Sequence, residues 1–570
     1  MTKRLAFAAL AASFLPLPAA AQTADSLEYF SRSHSAALPQ LLSGEDRLFY
    51  RSLFEAIEAR NWDRVEVMLG EREDGPLHGS ALAAFYLHPE SPRIELSRIE
   101  AWLDRFAGIP ETESIIRLGQ TRGLESAPSI PRENALVRQR GVTKRIRPSS
   151  IDDGSLPDSV KSAILERISN DDPDGARLLL DGVDASLSSQ ARAEWRQRIA
   201  WSYYIENRDA EAYGMAQLVG QGSGPWVAEG DWVAGLAAWR MGDCDNAADY
   251  FQRSANGSTN GSLTAAAHYW AARALIRCRA PEKADEQLRG AARYSETLYG
   301  MLAHEQLAQA LPGDHATPDL TSQDWQRLSG MPAVREAVML AEAGRRDLAD
   351  EALRWQARRI DASDFPALTR LARALGLAGA QTFMAYNAPR GTASPANLRW
   401  PVAYHQPTGG WKVDPALAFA HALQESNFRE SVVSPANAIG LMQIRPIAAR
   451  EYAASIAMSS AADLKDPAVN LAFGQRALQA LADAGYTRGH LPKVMAAYNA
   501  GPTPVSRWNG EINDQGDPLL WMESIPYWET RGYVAIVMRN YWMYLRQAEA
   551  VAQSRTELAQ NQWPQFPRTR

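Results

Sequence analysis

A carboxyl group held at the end of a helix and away from water can keep its proton near neutral pH, and Glu425 stands where such a group is expected. The segment Val413–Glu430 reads as a helix: Asp414 is a suitable N-cap, and Pro415 takes the first helical position, where its missing N–H costs nothing. Ala416, Leu417, Ala420 and Leu423 then give it an apolar face. Glu425 falls near the C-terminal end, where the negative pole of the helix disfavours an ionised carboxylate. Desolvation by apolar neighbours would raise its pKa further, and a general acid needs that shift. Taken alone, a glutamate at a helix end is most often a solvated surface residue. Its neighbourhood argues otherwise.

Nine residues further on stands Ser434-Pro435, followed by Gly440-Leu441-Met442-Gln443-Ile444 and, later, Ala497-Tyr498-Asn499-Ala500-Gly501. Glu523-Ser524-Ile525-Pro526-Tyr527 and Glu529-Thr530-Arg531-Gly532-Tyr533-Val534 complete the series. Each motif alone is weak. In this order and spacing they resemble the large soluble lytic transglycosylases, lysozyme-fold enzymes of the bacterial periplasm, and the match covers roughly residues 400–545. The resemblance implies Glu425 as the catalytic acid/base, with Ser434, Gln443, Tyr498 and Glu529 lining the site. Asn499 and Tyr533, from the same motifs, complete the expected substrate-binding set. Tyr498 would hydrogen-bond near the reacting sugar and Met442 would help to wall the pocket. One position departs: many relatives carry methionine where this chain has Arg445, a change that bears on sugar contacts or on a peptide carboxylate.

Most glycosidases use two carboxylates. Here Glu425 is the clear acid and no aspartate stands at an obvious partner position; Glu529 is the nearest rival, its plainer reading being an ion pair with an arginine. The resemblance implies a different chemistry. Glu425 would protonate the glycosidic oxygen between N-acetylmuramic acid and N-acetylglucosamine, and the sugar's own N-acetyl oxygen would stabilise the anomeric carbon. The ionised Glu425 would then deprotonate the muramoyl C6 hydroxyl, giving a 1,6-anhydro product. Two alternatives remain open: a muramidase in which water attacks instead, and a non-catalytic peptidoglycan-binding scaffold. No cofactor is expected.

The elements that must position these residues form an all-α chain: an α-superhelical solenoid followed by a lysozyme-like catalytic domain. Amphipathic helical stretches alternate with short breaks from about residue 27 to 390. Ala248-Asp249-Tyr250-Phe251-Gln252-Arg253 aligns with Ala284-Asp285-Glu286-Gln287-Leu288-Arg289, an offset of 36 residues that suggests degenerate tetratricopeptide-like pairs. The expected domains are a superhelical domain over 27–330, a helical linker domain over 331–400 and the catalytic domain over 401–570. The array offers either a docking surface for other cell-wall proteins or a guide for a long glycan strand. Residues 124–158 break the rhythm with four prolines and a basic cluster including Arg145 and Arg147. They read as a solvated connector, or else as an arm touching an anionic polymer such as peptidoglycan, whose stem peptides carry carboxylates. The tetrapeptide Ala385-Tyr386-Asn387-Ala388 repeats the later motif by coincidence, with Pro389 in place of the glycine.

The length of 570 residues exceeds one ordinary hydrophobic core, and the net charge of −6 gives no footprint for nucleic acid. Most of the 17 tryptophans are expected in the core of a helical array, with a minority lining a sugar cleft. Nine histidines show no metal-ligand spacing, so no metal is expected. Lys3 and Arg4, the apolar run Leu5 to Leu17 and the small residues to Ala21 read as a signal peptide over 1–21, placing the protein in the periplasm without a transmembrane anchor. In that oxidising compartment Cys244 and Cys278 are candidates for a disulfide.

Overall fold

The computed structural model describes residues 20–31, 38, 40–72, 75–313 and 318–568, so nearly all of the expected signal peptide lies outside the described residues. Regular structure among them is helical apart from one two-stranded ribbon. Helix pairs follow one another as expected: Ser189–Ile205 with Asp209–Val219, Trp226–Arg240 with Cys244–Gly257, and Gly261–Arg277 with Pro281–Ala292. Each pair turns through one left-handed residue, at Asn207, Gly242 and Arg279. Their starts are written in the sequence: Ser188, Asp243 and Asn260 each accept a backbone N–H of the following turn. Small residues let the helices approach closely; Ala265, Ala267, Ala271, Ala272 and Ala274 are wholly buried around Trp232, Trp239 and Trp270. Most tryptophans are thus core residues. Cys244 and Cys278 form a disulfide across two neighbouring turns, 34 residues apart in sequence.

Two apolar clusters hold the chain together. Helices of residues 42–116 share one with those of residues 320–398. The paired helices of residues 164–303 share the other with residues 400–566. The proline-rich segment between them is a docked strap rather than a solvated connector. Leu136–Arg138 pairs antiparallel with Asn387–Pro389, which gives the early Ala-Tyr-Asn-Ala tetrapeptide a structural use. Further along, Thr143 O accepts from Arg539 Nη1 (3.2 Å), Lys144 O from Asn260 Nδ2 (2.9 Å) and Ser149 O from Trp226 Nε1 (3.0 Å). The strap's carbonyls find donors on both sides, which satisfies a backbone that prolines keep out of helices.

Three helices of the C-terminal domain start with aspartate before proline. Asp414, Asp466 and Asp517 cap Pro415–Glu425, Pro467–Asp483 and Pro518–Glu523. Asp414 is almost fully buried, and also accepts from Ser26 Oγ (2.6 Å) and Tyr541 Oη (2.8 Å), tying helix Ala20–Ser31 to this domain. The 20-residue helix Trp528–Gln547 runs through its centre, burying Val534, Val537, Met538, Trp542 and Leu545. It packs along Pro415–Glu425, so the two motif-bearing segments face each other. Among the described residues no helix is long and apolar enough to cross a membrane.

Candidate active site

Glu425 is the last residue of its helix, which ends five residues earlier than the sequence suggests. Asn427 and Phe428 both adopt left-handed backbone (φ 54° and 59°) and break it. Asparagine tolerates that conformation; phenylalanine does not, and its ring is buried against Phe419, with centroids 5.8 Å apart. The break leaves the carboxyl beside the free carbonyl end of the helix. Burial raises its pKa from the ordinary 4.5 to about 7, a hydrogen bond from Tyr533 opposes the rise, and the charge of Glu529 adds to it.

Tyr533 Oη donates to Glu425 Oε1 at 2.6 Å and lies 2.8 Å from His421 Nδ1. A hydroxyl has one proton. When Glu425 is ionised, Tyr533 gives it to the carboxylate and His421 donates from Nδ1 to Oη; when Glu425 is protonated, the carboxyl can donate to Oη and Tyr533 to Nδ1. Burial depresses the His421 pKa to about 3, so the ring is neutral, and its buried Nε2 has no partner. His421, Tyr533 and Glu425 thus form a hydrogen-bonded chain whose direction follows the protonation state of Glu425. Sequence reasoning missed His421; the available signal was its place four residues before Glu425, one turn back on the same helix face.

The remaining motif residues build the rim. Tyr498 packs at a tilt against His421 (centroids 4.7 Å apart) and donates its hydroxyl proton to Met442 O at 2.7 Å, bracing the turn. The Gly440–Gln443 turn is closed by paired Ile439 and Ile444 (3.0 and 2.9 Å). Gly440 is required there: its φ is +76°, and a Cβ would come within 2.4 Å of Asn470 Nδ2 and Leu464 O. Met442 is fully buried, packed against Gly474, with its N–H bonded to Asn470 Oδ1 (2.8 Å). Gln443, at φ +50°, donates from Nε2 to Gly440 O (2.9 Å). Ser434 Oγ accepts from Ala438 N (3.0 Å), shaping the loop before the turn. Asn499 Oδ1 accepts from Thr530 Oγ1 (2.7 Å), joining two motifs.

Glu529 is exposed and makes no ion pair among the described residues, so the reading of it as an arginine's partner fails. Arg531 instead stacks over Trp201, 4.0 Å from the ring centroid, and gives an N–H to Glu523 O (3.2 Å). Arg445 is exposed at the start of helix Pro446–Tyr452, with its side chain in solvent. No group of His, Cys, Asp and Glu among the described residues has the arrangement of a metal site.

Fold and site together define a lysozyme-like helical domain carried on a helical superhelix, with the desolvated Glu425 carboxyl at its motif cluster. Residues 404–519 match the family model of the Transglycosylase SLT domain. In sequence the chain is similar to the soluble lytic murein transglycosylase of Escherichia coli strain K12, 35% identical over 170 residues, or 28% of this chain and 26% of the relative. It is also 32% identical over 154 residues, 26% of each chain, to a putative soluble lytic murein transglycosylase of Haemophilus influenzae. The aligned stretch therefore spans about a quarter of these curated relatives. In architecture the likeness is longer. The crystal structure of the 70 kDa soluble lytic transglycosylase from Escherichia coli superposes with a TM-score of 0.55 at 16% identity, covering 92% of this chain and 99% of that one. That of an inactive mutant of lytic transglycosylase Slt from Pseudomonas aeruginosa gives 0.51 at 19%, covering 93% and 78%.

Proposed function

We propose that this protein is a peptidoglycan lytic transglycosylase that cleaves the β-1,4 bond between N-acetylmuramic acid and N-acetylglucosamine and releases 1,6-anhydromuramoyl products. The observation that carries the reading is the Glu425 carboxyl: raised to about 7, bonded by Tyr533, and without a second buried carboxyl bonded beside it. A group with that pKa is substantially protonated at neutral pH and, once it has given its proton to the glycosidic oxygen, is a competent base. The substrate's N-acetyl oxygen takes the place of a protein nucleophile, and the C6 hydroxyl then attacks C1 with Glu425 as base. No water is consumed.

In this reading Tyr533 and His421 orient the Glu425 carboxyl, and Tyr498, Gln443, Ser434 and Asn499 set the rim against which the sugars lie. Arg445 and Glu529, both exposed, meet the flanking parts of the strand. Met442 acts from behind the turn. The residues from about 401 onward form the catalytic unit, the helices before it guide or recruit, and the N-terminal segment directs export to the periplasm with cleavage after Ala21. The names and folds of the relatives support this assignment.

The test is digestion of purified peptidoglycan with the mature protein, read by mass spectrometry. Products one water lighter than hydrolytic muropeptides and inert to borohydride are expected, and Glu425→Gln abolishes them. Full-mass reducing products would make the enzyme a muramidase; no products from folded protein would make it a binding module.

A further inference from the structure

On the face of helix Trp528–Gln547 turned away from Glu425, a cavity of about 700 Å³ opens between the paired helices, the strap and the C-terminal domain. Glu529 and Tyr533, one turn apart, serve the catalytic side; Trp528 and Arg531 line the cavity. Three guanidinium groups surround the Trp528 ring: Arg531 at 4.9 Å, Arg147 at 5.7 Å and Arg145 at 5.8 Å from its centroid. Arg145 is neutralised by Glu229 (2.7 Å). Arg147 and Arg531 have no carboxylate partner. Burial holds both down to about 10 and neighbouring arginines add to the effect, while Glu523 and Glu229 near Arg531, and Glu229 and Glu194 near Arg147, oppose it from beyond ion-pair distance.

The same cavity carries the opposite charge elsewhere. Asp171, Glu206 and Glu511 line it, and burial together with its two acidic neighbours raises the Glu206 pKa. Gln197 also lines it, 93% buried by its 7% exposure, and its Oε1 finds no donor. A buried acceptor without a partner is costly, and a ligand N–H would recover that cost. Glu511 is paired with Arg507, which also lines the cavity (3.2 Å); two guanidinium groups without a direct ion pair, an unpaired amide acceptor and the Asp171 and Glu206 carboxylates remain, and together they match a zwitterionic peptide.

We propose that this cavity is a second binding site, separate from the Glu425 cleft, for the stem peptide of peptidoglycan: its carboxylates on Arg147 and Arg531, an amide N–H on Gln197, and the ammonium of its diamino acid toward Glu206. The ligand assignment rests on the glycan-cleaving function proposed above; the site itself rests on the cavity.

Calorimetric titration of the full mature chain with a synthetic stem tetrapeptide carrying a diamino acid at its third position tests this. The peptide has no glycosidic bond, so its binding is read independently of cleavage. Binding that Arg147→Gln and, separately, Gln197→Met each weaken roughly tenfold or more, with Glu425→Gln binding like wild type, supports the site. Arg147 lies at the exposed rim and Gln197 bonds nothing through Oε1, so both variants should fold, as a thermal melt checks. Absence of binding, or equal binding by the variants, overturns the proposal. Amidating the peptide carboxylates or acetylating its amine should abolish the heat. Inorganic phosphate that competes as well as the peptide would show a plain anion site and overturn the ligand. Anhydro products without peptide binding would refute this inference alone; peptide binding without glycan products would refute only the function.

Discussion

Glu425→Gln should stabilise the protein at alkaline pH while abolishing its activity. In the folded chain the carboxyl titrates near 7, against an ordinary 4.5. Between those values the folded state holds a proton that the unfolded state has lost, so stability falls as pH rises from 4.5 through 7. The gap of about 2.5 pH units corresponds to about 3 kcal/mol at 1.36 kcal/mol per unit, fully felt above pH 7 and absent below 4.5. Glutamine is nearly isosteric, keeps an acceptor for Tyr533, and never ionises. Subtracting the variant's pH–stability curve from the wild type's cancels other buried acids, such as Asp231, which burial raises to about 6. Denaturant unfolding at pH 4.5 and pH 8 is the assay, with Glu425→Gln about 2–3 kcal/mol more stable at pH 8 and equal within error at 4.5. A variant equally or less stable at pH 8, or a pH-independent difference, would refute the argument that burial keeps Glu425 protonated.

Tyr533→Phe removes the donor that favours ionised Glu425, so the alkaline limb of kcat/KM should move up by about one pH unit, measured between pH 5 and 9; a limb that stays put would exclude Tyr533 from tuning the acid. Gly440→Ala forces a Cβ against Asn470 and Leu464 at φ +76° and should cost about 2–4 kcal/mol with loss of activity, read by thermal unfolding. Reducing Cys244–Cys278, which closes a loop with a sequence separation of 34, should cost about 2–4 kcal/mol, seen as a lower Tm in dithiothreitol; an unchanged Tm would make the bridge structurally idle.

What the sequence made legible is local or periodic. The Asp414-Pro415 start, the helix-pair spacing and the ordered motifs mark the helices and the glutamate because caps, prolines and apolar periods act within a few residues. Local reading failed where strain intervened. Nothing in Asn427-Phe428 announces two left-handed residues, so the sequence pattern overextends the helix of Glu425. Met442 reads as a pocket wall, but Gly474, on another helix, leaves space that draws it inward.

The sequence by itself determined an all-helical chain, a candidate acid at a helix end and motif residues around it. Only the tertiary structure decided what those residues do to one another. The hydrogen-bonded chain from His421 through Tyr533 to Glu425 joins positions 108 residues apart, and Arg531 is drawn from Glu529 to Trp201 of the superhelix. The strap sits between two cores, each built from distant stretches of chain. The physical reason is common to all three. Desolvation, proton direction and charge pairing depend on what lies within a few ångströms in space, and the sequence orders residues only along the chain.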